Sequence, residues 1–152
     1  MIVRRAGRVV VVDARDRVLL LRGCDPARPD AGSWWLTPGG GVDDGETERD
    51  AAQRELREET GLDARVDGPI VLERVTEFDF DGRHFEQREQ FFVVRVDAHE
   101  VQATELTEVE ERALLGHRWW TRAELAATGD TVYPEMLIAL LDEIMGGDDD
   151  RT

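Results

Sequence analysis

Between Pro38 and Leu62 the chain runs from a Pro-Gly-Gly-Gly turn, through a stretch with no proline, to Gly61. That order leaves little room for anything but a tight turn feeding a helix. Thr47–Thr60 reads as that helix: Asp44 or Glu46 can start it, and Gly61 sits where a glycine stops one. Ala51, Ala52, Leu56 and, just past the end, Leu62 suit a packed face. Glu55, Glu58 and Glu59 stand at i, i+3 and i+4, so three carboxylates project from one side of the helix.

Like charges at that spacing destabilise an isolated helix by about 0.2–0.5 kcal/mol per pair. They are also badly placed near a C-terminus, where the helix dipole prefers cations. Arg54 and Arg57 compensate in part, and a bound divalent cation would compensate further, since hard cations take carboxylate oxygens. A solvated acidic face is the competing reading, and for an E-x-x-E-E cluster alone it is the commoner one. Pro38-Gly39-Gly40-Gly41, with Glu46 and Arg54 in register, tips the balance to a metal site, because glycines let backbone approach a ligand closely.

Gly40, Glu46, Arg54, Glu55, Leu56, Glu58, Glu59, Gly61 and Leu62 together spell G-x5-E-x7-R-E-L-x-E-E-x-G-L. This stretch resembles the box of the Nudix hydrolases at every defining position. The resemblance implies an α/β fold, an α/β/α sandwich with a central mixed β-sheet. It also implies hydrolysis of the diphosphate linkage in a nucleoside diphosphate joined to another group. Carried over residue by residue, it makes Glu58 and Glu59 ligands of Mg²⁺ (with Mn²⁺ as a substitute), aided by the backbone carbonyl of Gly39. Glu55 becomes a further ligand or the general base, Arg54 the cation that holds a carboxylate in place, and Glu46 a supporting acid beside the cluster. Many family members add an acid from a distant loop. Here Glu108, Glu110 and Glu111 are candidates, Glu110 first, with surface charge as the alternative for each.

Composition narrows the partners. The chain has 34 acidic and 19 basic residues, all of the latter Arg, for a formal net charge of −15. Binding to nucleic-acid polymers draws mainly on cationic contacts to phosphate, so that class is disfavoured. A polyphosphate substrate would also be repelled unless metal ions and a local arginine group neutralise it. No apolar run approaches the ~18–20 residues of a membrane span. Arg4, Arg5 and Arg8 interrupt any signal-peptide core. The single Cys24 fits a reducing cytoplasm and has no partner motif for nucleophilic chemistry. A length of 152 residues suits one domain, expected over 1–147, with 148–152 a solvated acidic tail.

Along the chain, Val9–Val12 and Val18–Leu21 read as strands of a hairpin, Cys24–Gly32 as a loop, and Trp34–Leu36 as a short strand. Another strand, interrupted near Gly68-Pro69, is expected over Asp63–Leu72. Asp81-Gly82 joins strands Arg74–Phe80 and Phe85–Val96, the second buried on both faces at Phe91–Val94. Thr104–Arg112 shows no clear period and reads as a loop. Arg118–Trp120 is a short strand, Thr121 and Glu124 begin a helix with a capping box, and Pro134 opens a last helix to about Met145.

Substrate choice is less constrained. About sixteen residues past the box the chain has Glu77-Phe78-Asp79-Phe80, without the proline or tyrosine that mark two Nudix subgroups. Phe78 and Phe80, with Phe85, Trp34 and Trp35, could stack a base, core packing being the alternative. Arg74 and Arg88, with Arg83 and Arg95, could clamp phosphates. The leading reading is a metal-dependent pyrophosphohydrolase of a small nucleotide, such as a nucleoside triphosphate or nucleotide sugar. A non-catalytic Nudix-like module that senses a nucleotide and regulates a partner is the alternative from another class. Isoprenoid diphosphate isomerisation ranks below both, and homodimers are frequent in the family.

Overall fold

The computed structural model describes residues 1–104 and 106–149. Its frame is a mixed sheet of eight strands: β1 (Ile2–Val12), β2 (Val18–Cys24), β3 (Ser33–Leu36), β4 (Gly39–Gly41), β5 (Leu72–Phe80), β6 (Arg83–Arg95), β7 (Leu114–Trp120) and β8 (Val132–Tyr133). The main path runs β5-β6-β1-β2-β3-β8, while β4 pairs with β1 and β7 with β2. The longest register is parallel, Ile2↔Phe85 through Val12↔Arg95. The β5–β6 hairpin turns at Asp81 and Gly82, both at positive φ as a two-residue hairpin turn requires.

Among the described residues four α-helices cover the sheet: α1 (Glu48–Thr60), α2 (Glu108–Ala113), α3 (Arg122–Ala127) and α4 (Leu137–Asp149). Because side chains alternate along a strand, Val9 and Val11 of β1 face one way and Val10 and Val12 the other. Val9, Val11, Leu19, Phe92 and Val94 pack with Ala52 and Leu56 of α1. Val10, Val12, Leu20, Phe91 and Trp120 pack with Leu125, Leu137, Leu140 and Leu141 of α3 and α4. A buried leucine of this kind contributes about 1.5–3 kcal/mol. The result is the expected α/β/α sandwich.

Several elements differ from the sequence reading. No strand forms over Asp63–Val71; β5 begins at Leu72. Side chains of α1 serve that segment in place of a neighbouring strand. Gln53 Oε1 accepts from the Val66 amide at 3.0 Å, and Arg49 donates to the carbonyls of Val66 and Gly68. The expected loop over Thr104–Arg112 contains α2, begun by a capping box of Thr107 and Glu110. The glycine turn includes a strand, β4. The last helix starts at Leu137, after the Pro134 carbonyl has accepted its amide, and runs four residues past Met145 to Asp149. Of the acidic tail, residues 150–152 lie outside the described residues. Among the described residues no helix is long and apolar enough to cross a membrane.

Candidate active site

Thr47 is the N-cap of α1, accepting from the Asp50 amide while Asp50 accepts from the Thr47 amide. Glu46 lies just outside the helix and serves a different purpose. It takes two hydrogen bonds from Arg54, from Nε at 2.8 Å and from Nη2 at 2.9 Å. Arg54 also donates to Glu55 Oε1 at 2.9 Å, Glu58 Oε2 at 3.2 Å and the Gly41 carbonyl at 3.0 Å. One guanidinium thus ties three carboxylates of the box to β4. The Glu46 bond, chiefly, raises the Arg54 pKa, and the same bond lowers that of Glu46.

Glu55 and Glu59 are both buried, on the face of α1 that meets β4. Gly40 makes the approach feasible: a Cβ there would stand 2.6 Å from Glu55 Cδ. Glu59 Oε1 accepts from the Gly39 amide at 2.8 Å. Glu55 Oε2 is a buried oxygen with no partner. Burial, with the nearby Glu110 charge and against Arg54, pushes the Glu55 carboxyl up to about 7. Burial and the Glu55 charge likewise push Glu59 well above the usual carboxylate range. Each of Glu55, Glu59 and Glu110 offers an oxygen, and the three oxygens lie within 4.8 Å of one another.

Glu110 arrives from 51 residues beyond Glu59 along a route the sequence reading did not foresee. The segment His99–Thr104 docks on the carbonyls that end α1. Gln102 and Thr104 amides donate to Thr60 and Glu58 carbonyls at 2.9 and 2.8 Å, and Thr104 Oγ1 donates to Arg57 at 3.1 Å. These donors occupy the negative end of the helix where the acids are crowded. The chain then enters α2, whose N-terminal Thr107 amide donates to Glu110 Oε1 at 3.1 Å. Glu108 and Glu111 are exposed.

The residues suggested for substrate contact divide between the faces of the sheet. Phe78, Phe80 and Arg74 share one face of β5, where Phe78 stacks on Phe85 with centroids 5.5 Å apart. Arg4 stands 4.8 Å over the Phe85 ring, and its Nε donates to Gln87 Oε1. Arg74 is held by Glu89 and Glu135. Arg88, exposed and 3.5 Å from Glu86, lies on the opposite face. Of the residues missed, Glu89 is the most consequential: it is buried and bonded to Arg8, Arg74 and Gln87. Its inward position at a two-residue spacing from Phe85, Gln87 and Phe91 was the available signal.

A family model described as the NUDIX domain matches residues 3–140. The chain is 35% identical over 107 residues, 70% of its length, to an uncharacterized Nudix hydrolase of Bacillus subtilis, and spans 61% of that protein. It is 33% identical over 108 residues, 71% of its length, to an 8-oxo-dGTP diphosphatase of Proteus vulgaris, and spans 86% of it. Among solved structures, a MutT protein from Methanosarcina mazei Go1 superposes with a TM-score of 0.68 at 18% identity, over 97% of this chain and 96% of that one.

Proposed function

The chain belongs to the NUDIX family, and from that premise we propose that it is a divalent-metal-dependent pyrophosphohydrolase that cleaves the diphosphate linkage of a small nucleotide by water attack. The convergence of Glu55, Glu59 and Glu110, with one buried, unpartnered oxygen on Glu55, carries this reading. Three carboxylates that close repel one another unless protons or a cation intervene. An all-oxygen donor set, with no His or Cys among it, suits magnesium or manganese better than zinc. Glu55, Glu59 and Glu110 would hold the ion, with Glu58 and the Gly39 carbonyl as further oxygens. When bound, it would supply positive charge against the diphosphate oxygens and acidify water.

The chain's own groups do the rest. Arg54 fixes Glu55 Oε1 and leaves Oε2 facing the site, so Glu55 serves either as a ligand of the ion or, with Glu59 and Glu110 holding it, as the base that takes the proton of the attacking water. Glu46 anchors Arg54, so it acts on the cluster through the guanidinium. Phe78 and Phe80 offer a platform for a base beside Arg4, whereas Arg74 is better suited to support that platform than to clamp phosphate. The Proteus relative's substrate favours a nucleoside triphosphate, with nucleotide sugars next. The lone, buried Cys24 is consistent with work in a reducing cytoplasm.

A panel of nucleoside triphosphates, oxidised nucleotides and nucleotide sugars, scored by released phosphate or pyrophosphate, tests the proposal. Turnover should require Mg²⁺ or Mn²⁺ and vanish in EDTA. Full turnover in metal-free buffer would overturn it. Tight nucleotide binding with no turnover on any member would favour a sensing module.

A further inference from the structure

We propose that Arg8, braced by the buried Glu89, is a positioning residue that sets the Gly39 peptide and, through it, Glu59. The inference rests on the metal reading above. In register, Arg8 stands opposite Gly39 on one side and Phe91 on the other, where β1 is shared between β4 and β6. Its guanidinium donates from Nε to Glu89 Oε2 at 3.0 Å, and from Nη1 to the carbonyls of Thr37 at 3.1 Å and Gly39 at 3.3 Å. One planar group therefore links the middle of β6 to the turn ahead of the box.

Gly39 has a particular need of such a link. Its φ of +148° is one that other residues rarely adopt, and a Cβ would stand 2.3 Å from the Gly7 carbonyl oxygen. The two peptides that flank it are both held from β1: the Val9 amide donates to the Pro38 carbonyl at 2.9 Å, and Arg8 donates to the Gly39 carbonyl on the other side. The amide donates to Glu59 Oε1 and the carbonyl accepts from Arg8. Glu89 makes a firm brace, because its side chain is 2% exposed and is also bonded to Gln87 and Arg74. Arg8 is hydrogen-bonded to neither Glu55 nor Glu110, so its effect on the cluster passes through the Gly39 backbone.

Charge and positioning predict opposite signs. Arg8 is a cation close enough to Glu59 to stabilise its ionised form. By Coulomb repulsion alone, removing it would tighten the binding of a divalent cation. If it positions Gly39 and Glu59, removing it weakens binding. Arg8→Lys separates the two, since a lysine keeps the charge but its point-like head cannot span the same three acceptors.

The test is a Mn²⁺ titration without substrate, followed by the paramagnetic resonance of the free ion, on wild type, Arg8→Met, Arg8→Lys and Glu89→Gln. Circular dichroism and melting temperature report folding alongside. Both Arg8 variants should bind Mn²⁺ at least about tenfold more weakly while folded, and Glu89→Gln should shift in the same direction. At saturating metal, kcat should fall with little change in the nucleotide KM. Unchanged or tighter Mn²⁺ binding in folded Arg8→Lys overturns the inference, as does a loss of melting temperature alone. Should Arg8→Met not fold, Arg8→Lys and the isosteric Glu89→Gln decide. A wild type that does not bind Mn²⁺ would instead overturn the metal reading itself.

Discussion

Arg54 spends its donors on Glu46, Glu55, Glu58 and the Gly41 carbonyl, and among the described residues it is the one cation bonded to all three of these acids. Removing it leaves Glu46, Glu58 and the buried Glu55 without this counter-charge in a half-buried network. Arg54→Ala should therefore lose turnover and stability together, read by steady-state kinetics and by denaturant melts. A variant that keeps full stability would show the network to be dispensable for the fold. Glu58→Gln and Glu59→Gln should behave differently. Each should cut turnover by orders of magnitude while the protein stays folded, because the substitution relieves repulsion. In Glu59→Gln the side-chain amide oxygen could still accept from the Gly39 amide. Unfolding of either at room temperature would point to a structural ion pair instead. Glu55, Glu58 and Glu59 were legible as a group because i, i+3, i+4 spacing on a helix is a local property. Arg8 and Glu89 were not, since they meet only through the parallel β1–β6 register, which no local pattern announces.

Local chemistry also decided which elements could be read. The turn-helix-glycine unit of α1 and the Asp81-Gly82 hairpin carry their own start and stop signals, and both formed in the expected segments, although Thr47 caps α1 rather than Asp44 or Glu46. The segment ahead of β5 reads as a strand from its sequence, but its partners are the side chains of Gln53 and Arg49, which sequence spacing does not reveal. For α2 the signal existed in Thr107-x-x-Glu110, but six residues are too few to show a helical period. That capping box gives Glu110 two tasks: one oxygen closes the helix start, and the carboxylate also faces Glu55 and Glu59. Glu110→Gln should lower turnover at least about tenfold, some 1.4 kcal/mol in the barrier. The exposed Glu108 and Glu111 should be near neutral on the same change, within about 0.5 kcal/mol of stability. Single-variant kinetics at saturating Mg²⁺ check this. Equal and negligible effects at all three would remove α2 from the site, and a large effect at Glu108 or Glu111 alone would shift the role to that residue.

At the scale of the whole molecule, the metal-free protein folds around carboxyl groups that resist ionisation, and its stability should record this. Glu55 titrates near 7 in the folded chain against an ordinary 4.5, and Glu59 is raised as well. Between those values the folded state holds protons that the unfolded chain has released, so unfolding free energy falls as pH rises. The contribution is fully present below about 4.5 and is lost as pH passes 7. The net charge of −15 adds a general repulsion of the same sign, but salt screens that part far more than it screens buried groups. In EDTA at raised salt, the melting temperature should therefore still decline from pH 5 to pH 8. The slope should shrink in Glu55→Gln. Mg²⁺ at a hundred times its Kd should restore about 2.7 kcal/mol. At one fixed concentration its effect should grow from pH 5 to pH 8, as fewer protons compete with the ion for the carboxylates. Calorimetric melts at four pH values, with and without the ion, measure all of this. A metal-free melting temperature that is flat or rises with pH, or a Glu55→Gln variant with the wild-type slope, would show that the cluster does not carry the protons assigned to it.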